Sequence, residues 1–140
     1  MLASLALLTV LCTSAETSRV CSCIARPPLV DARAMATEAQ RFGAVLDGTV
    51  VRVSLDSVDG VRATVAVRRR WKGTLADTVV VHTSSGGGTC GLDFQAGTRY
   101  LILASEGTTG WHATICSPSI SWSAEAERRV GLLSPPGSLR

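Results

Sequence analysis

From Ala44 onward the chain alternates between apolar and polar positions with the two-residue period of a half-buried strand. Val45, Thr49, Val51, Val53 and Leu55 alternate with Arg52 and Ser54. Val61, Ala63, Val65 and Val67 then alternate with Arg62, Thr64 and Arg68. Asp59-Gly60 marks the turn between the two runs. A two-residue turn there would set Val53 against Ala66 and mix the faces. A three-residue loop, Val58-Asp59-Gly60, pairs Val53 with Val65 and Val51 with Val67, and it requires Gly60 in the left-handed conformation. Three further strands are predicted at Asp77 to Thr83, Arg99 to Ser105 and Trp111 to Cys116.

Helical signals flank this strand-rich block. Asp31 to Arg41 is a stretch of good helix formers in which Thr37-Glu38-Ala39-Gln40 has the form of a capping box. At the other end, Ser123 caps a helix predicted to run to about Leu133, with Glu125 and Glu127 near its positive end and Arg128 and Arg129 further along. Arg26-Pro27-Pro28 holds the segment before the first helix extended. The expected fold is therefore mainly β: five strands closing into a small barrel, of which the five-stranded OB fold is the commonest form. One helix would lie on its N-terminal side and one at its C-terminal end. Residues 134–140, with Pro135-Pro136-Gly137, are expected to be a flexible tail.

The first residues change the picture of where this domain works. Met1 to Leu11 is almost unbroken apolar sequence ending in Thr13-Ser14-Ala15, which reads as a signal peptide over residues 1–15. A run of that length is too short to span a hydrocarbon core of about 30 Å, so no membrane span is expected. The predicted location is secreted and extracellular, or periplasmic in a bacterium.

Cysteine usage agrees with export. Of the five cysteines, Cys12 falls inside the signal segment, leaving Cys21, Cys23, Cys90 and Cys116 for two disulfides. A bond between Cys21 and Cys23 would close over a single residue, against the Cα separation a disulfide needs. Each must reach a distant cysteine, and two pairings remain. The C-x-C spacing is also tighter than structural zinc sites use.

Little in the composition points to catalysis. The two histidines, His82 and His112, fall on predicted strands with no partner for a triad. Ser84-Ser85-Gly86-Gly87-Gly88 lacks the lysine of a phosphate loop, and Asp56 and Asp59 are too few for a calcium loop. No enzyme activity, cofactor or metal of its own is expected. The net charge of +3 is modest. Even so, Arg52, Arg62, Arg68 and Arg70 lie on polar strand positions, with Arg69 and Lys72 nearby and Trp71 and Trp111 available for stacking. That pattern offers an extracellular polyanion or polysaccharide binder as an alternative function. Export argues against nucleic acid.

Taken in order, Cys21-Ser22-Cys23, Arg70-Trp71-Lys72-Gly73, Cys90-Gly91-Leu92-Asp93-Phe94 with Gly97 and Tyr100-Leu101, and Cys116-Ser117 form a pattern. From Cys21 to about residue 133, it resembles the tissue inhibitors of metalloproteinases and the wider netrin-type modules. The resemblance implies an OB barrel with disulfides Cys21–Cys90 and Cys23–Cys116. It further implies a secreted protein that binds another protein, in its most concrete form a zinc metalloendopeptidase, through residues 21–25. In that mechanism the α-amino nitrogen and carbonyl oxygen of Cys21 chelate the partner's zinc. Ser22 points towards the specificity pocket, and Ile24 and Ala25 line the cleft. An open zinc position accepts such neutral ligands. This chain departs from the family at one point: Glu16-Thr17-Ser18-Arg19-Val20 precede Cys21 after the best cleavage site, so chelation requires further trimming. It also has four cysteines in place of six, and lacks a second domain. The alternative within the resemblance is a netrin-type binding module without inhibitory activity.

Overall fold

The computed structural model describes residues 21–56, 60–85 and 89–135. The expected signal peptide, Glu16–Val20, residues 57–59, with Val58 and Asp59 of the expected loop, Gly86-Gly87-Gly88 and most of the expected tail lie outside the described residues. The chain is mainly β with two helices. In order, these are α1 (Ala32–Gln40), β1 (Ala44–Asp56), β2 (Gly60–Lys72), β3 (Thr78–Thr83), β4 (Arg99–Gly107), β5 (Gly110–His112), β6 (Ile120–Ser121) and α2 (Ala124–Leu132).

Five of the strands form a ring. β1 pairs with β2, β2 with β3, β3 with β5 and β5 with β4, and β4 returns to pair with β1. All contacts are antiparallel except β3–β5, a short parallel seam of two residue pairs. β6 adds to the free side of β4. Inside the ring pack Leu46, Val50, Val65, Val81, Ile102 and Tyr100, with Phe94 set edge-on to Tyr100 at 5.1 Å. A second core forms on the outside of the ring. There Val45, Leu101, Leu103 and Trp71 meet Met35, Ala39 and Phe42 at α1 and Leu133 after α2.

Several sequence expectations change in detail. α1 fills the expected stretch, but its N-cap is Asp31, six residues before Thr37: Asp31 accepts from the Ala34 amide at 2.8 Å, leaving Thr37 mid-helix. At α2 the expected Ser123 is the cap, accepting from the Ala126 amide at 3.3 Å. The fifth strand is shorter than expected, ending at His112. Beyond it only Thr114 makes a bridge, to Gly91. β6 was not foreseen, because two residues carry no period.

The first hairpin is the main correction. Gly60 has the expected positive φ, 89°, but it pairs with Asp56, and Val53 faces Ala63, not Val65. The ladder also shifts between Val50 and Arg52, so Val50 pairs with Val65, and Gly48, not Val51, faces Val67. An extra residue in one strand turns the following side chains to the other face. Val50 before the irregularity is fully buried, Val51 is 55% exposed, and beyond it Val53 is the residue that packs against the inner core.

Candidate partner-binding ridge

Two disulfides pin the N-terminal segment to the body. Cys21 joins Cys90 and Cys23 joins Cys116, with Cα separations of 5.1 and 5.2 Å. They span 69 and 93 residues of chain, so in the chain-entropy account each contributes up to about 4 kcal/mol.

The anchors are brought side by side by the loops that carry them. Cys90 lies between β3 and β4 with φ 63°, alone among described non-glycine residues in having positive φ. Gly91 beside it has no room for a side chain, because a Cβ would sit 1.9 Å from the Ser84 carbonyl oxygen. The Cys90 carbonyl accepts from the Ile115 amide at 2.9 Å, and the Gly91–Thr114 bridge continues that contact. The 114–119 turn is tied down by hydroxyls. Ser117 Oγ donates to the Thr114 carbonyl and lies within hydrogen-bond distance of Ser119 Oγ, each at 2.7 Å, and Ser119 Oγ accepts from the Leu103 amide at 2.8 Å. Cys116 is thus fixed to β4, and through it to both cores.

Between and beyond the anchors the segment faces outward. Ser22, Cys23, Ile24 and Ala25 are exposed while Cys21 is half-buried, and Ile24 is 90% exposed. Across the Cys23–Cys116 bond lies Ile115, 52% exposed. A groove of about 440 Å³ runs beneath the segment, walled by Ile24, Pro27, Leu29, Ile115, Pro118 and Ile120. Arg26 closes one part of it. Its guanidinium pairs with the buried carboxylate of Glu38 and lies over the Phe42 ring, 5.4 Å from the centroid. The ridge is therefore apolar at its tips and held from below by covalent and ionic contacts.

Of the basic residues named for polyanion binding, Arg52, Arg62 and Arg68 are exposed. Trp71 is 2% exposed and has no free face for stacking, whereas Trp111 is half-buried against the inner core. Arg62 lies 3.6 Å from Asp56, and Arg70 donates to Asp77 and to the Leu75 carbonyl, both at 2.9 Å. Arg69 is turned to Asp47. His82 and His112 stack at 5.1 Å, and His112 Nε2 is 2.8 Å from Thr109 Oγ1.

Sequence reasoning did not find the polar cluster around Asp47. Its carboxylate is fully buried on the outer face of β1. It accepts from Arg99 Nε and Nη2 at 2.6 Å and from Arg69 Nε at 2.9 Å. The Arg99 guanidinium lies 3.2 Å from the Trp122 ring centroid. Burial pushes the Asp47 carboxyl up, but the hydrogen bonds and charges of Arg99 and Arg69 outweigh it and hold the carboxyl below its ordinary value. An Asp flanked by Leu46 and Gly48 inside an apolar run was the signal available. Among the described residues no helix is long and apolar enough to cross a membrane. No protein-family model matches this chain, and no curated protein matches it.

Proposed function

We propose that this chain is a secreted netrin-type OB barrel that binds a protein partner through Cys21 to Ala25, the partner being a secreted zinc endopeptidase. The observation that carries the reading is the exposure of Ser22, Ile24 and Ala25 on a segment whose two cysteines are locked to separate loops of the body. A partner-binding edge benefits from this combination, because rigidity before binding lowers the entropy lost on binding. The closed circuit β1-β2-β3-β5-β4, with its parallel β3–β5 contact, is compatible with a five-stranded Greek-key barrel. The packing of Phe94 against Tyr100 and of Trp71 against the outer core gives the resembling motifs structural work that suits such a barrel.

In this reading Cys21 chelates the partner's zinc through its α-nitrogen and carbonyl oxygen, Ser22 enters the specificity pocket, and Ile24 and Ala25 line the cleft. Chelation needs a free amine. An α-amino group with pKa near 8 can give up its proton to a metal, whereas the amide to Val20 has no lone pair to offer. The barrel supplies only the frame.

The test compares three forms of the protein against a panel of secreted zinc endopeptidases. One carries residues 16–20, one begins at Cys21, and one begins at Cys21 with its amine acetylated. The free-amine form should have the lowest inhibition constant, by about tenfold or more, equivalent to about 1.4 kcal/mol. Three equal constants would remove the chelation mechanism and leave a netrin-type module with another partner.

A further inference from the structure

The two disulfides are not isolated from each other. The sulfurs of Cys21, Cys90 and Cys116 all lie within 4.8 Å of one another, and Cys21 Sγ is 3.9 Å from Cys116 Sγ, which belongs to the other bond. All three residues are half-buried, whereas Cys23 is exposed. Disulfides exchange when a thiolate attacks a neighbouring disulfide sulfur, so a third sulfur held this close is a built-in attacking group.

We propose that the pair acts as one exchangeable unit. On accepting two electrons from a thiol or phosphine reductant, it rearranges to a single Cys21–Cys116 disulfide and releases Cys23 and Cys90 as thiols. The product is the same whichever bond opens first. If Cys21–Cys90 is reduced, the Cys21 thiolate attacks Cys116 Sγ. The Cys21–Cys116 bond forms, the Cys116–Cys23 bond breaks, and Cys23 leaves as a thiolate that takes a proton. If Cys23–Cys116 is reduced, the Cys116 thiolate attacks Cys21 Sγ and Cys90 is the leaving thiolate. Either way two electrons and two protons enter, one disulfide remains and two thiols appear.

The backbone favours this outcome over simple opening of Cys23–Cys116, which would leave Cys90 tethered. Cys90 is held at φ 63°, a conformation that suits glycine and strains other residues. The rearranged state leaves Cys90 without a cross-link, free to relax towards ordinary backbone angles. Exposed Cys23 and Ile24 are at the same time released from their anchor, since the tether to the 114–119 turn moves from Cys23 to Cys21. Reduction would thus keep the segment attached while dismantling the ridge. This chemistry does not depend on which partner the ridge binds.

The experiment is partial reduction of the chain from Glu16 onward, which lacks Cys12, by a water-soluble phosphine, followed by rapid alkylation and mapping of the linked peptides by mass spectrometry. One sample is kept at about pH 4, far below the ordinary thiol pKa of about 8.5, where exchange is suppressed, and one at about pH 8. At the higher pH the main two-thiol species should carry alkylated Cys23 and Cys90 with Cys21 linked to Cys116. At the lower pH one of the original disulfides should survive in that species. Survival of an original disulfide at both pH values would overturn the proposal, as would passage straight from no free thiols to four, or a Cys90–Cys116 link. A second protein, Cys23→Ser with Cys90→Ser, should oxidise in air to Cys21–Cys116 with complete loss of free thiol. Retention of two thiols there would also overturn it.

Discussion

β1 is two strands in one. From Ala44 to Asp47 four consecutive side chains are fully buried, as is Val50, while Val51 and Leu55 are 55% and 84% exposed. Both halves are rich in valine and leucine, so composition does not separate them. Neighbours do. The first half lies between β2 and β4 and is covered outside by α1, Trp71 and Leu133. The second half runs on past β4 and pairs only with β2, which is backed by β3, and none of its residues joins the core at α1. An apolar residue stabilises a fold only where an opposite surface exists to exclude water from it. The same sequence character therefore carries different energetic weight ten residues apart.

The sharpest way to test this contrast is to truncate the buried half. Leu46 is fully buried inside the ring, and Leu46→Ala should cost about 3 to 4 kcal/mol through lost burial and the cavity left behind. Urea unfolding of the oxidised protein measures it. A loss under about 1 kcal/mol would mean that the inner core is loosely packed and the two halves of β1 are less different than their burial suggests.

Asp47 tests the buried half from its outer face. Asp47→Asn keeps the shape but removes the charge that Arg99 and Arg69 surround. Removing one partner of a buried pair is costly, but Arg99 and Arg69 keep 25% and 40% of their side-chain exposure, so water screens part of the loss. The expected cost near neutral pH is about 2 kcal/mol. Because the folded carboxyl is held below its ordinary value, the stability it adds is fully present above the unfolded pKa of about 3.9. That stability fades as pH falls through the folded pKa. Unfolding midpoints of the two proteins should therefore converge below about pH 4. A gap that stays constant into strong acid would show that the Asn variant suffers from packing, not charge.

How much of this was legible beforehand follows the same division. Strand positions were readable from the two-residue period wherever one face is wet, as along β2, and Ser123 was readable as a cap because its side chain acts locally. The period broke down from Ala44 to Asp47, where both faces are covered and alternation has no solvent side to mark. The register of the β1–β2 hairpin failed first at the loop, where Gly60 pairs with Asp56 instead of lying in the turn, and again at Val51, whose irregularity has no signature in residue type. For the candidate ridge, the C-x-C spacing showed that each cysteine reaches away from the other. The approach of Cys21 to Cys116 depends on the Gly91–Thr114 bridge, which joins residues 23 positions apart along the chain. Asp47, Arg69 and Arg99 are likewise gathered by pairing of β1 with β2 and β4, which no local pattern encodes.

A smaller effect is expected at the closing end of the hairpin, in the half where burial counts for little. Gly60 has φ 89°, and a Cβ there would lie 2.5 Å from the Ser85 amide nitrogen. Gly60→Val forces a branched residue into the left-handed region and against backbone, and should cost about 1 to 2 kcal/mol. Backbone conformation, not side-chain burial, sets this loss. Gly60→Ala should then recover only part of it, and a neutral valine variant would mean that the hairpin end adapts freely.

The smallest effect should come from Leu55, the residue that most resembles Leu46 in type and least in surroundings. It is 84% exposed, so truncation removes little area from contact with protein and leaves no enclosed cavity. Leu55→Ala should change stability by no more than about 0.5 kcal/mol, as surface substitutions usually do. Set beside Leu46→Ala in the same unfolding experiment, it isolates environment from chemistry, because the same atoms are deleted from the same strand. A loss at Leu55 approaching that at Leu46 would show that its side chain is covered in solution, by a second copy of the chain or by the hairpin folding back. Repeating the measurement over a range of protein concentrations separates those two causes, since only association makes the loss depend on concentration.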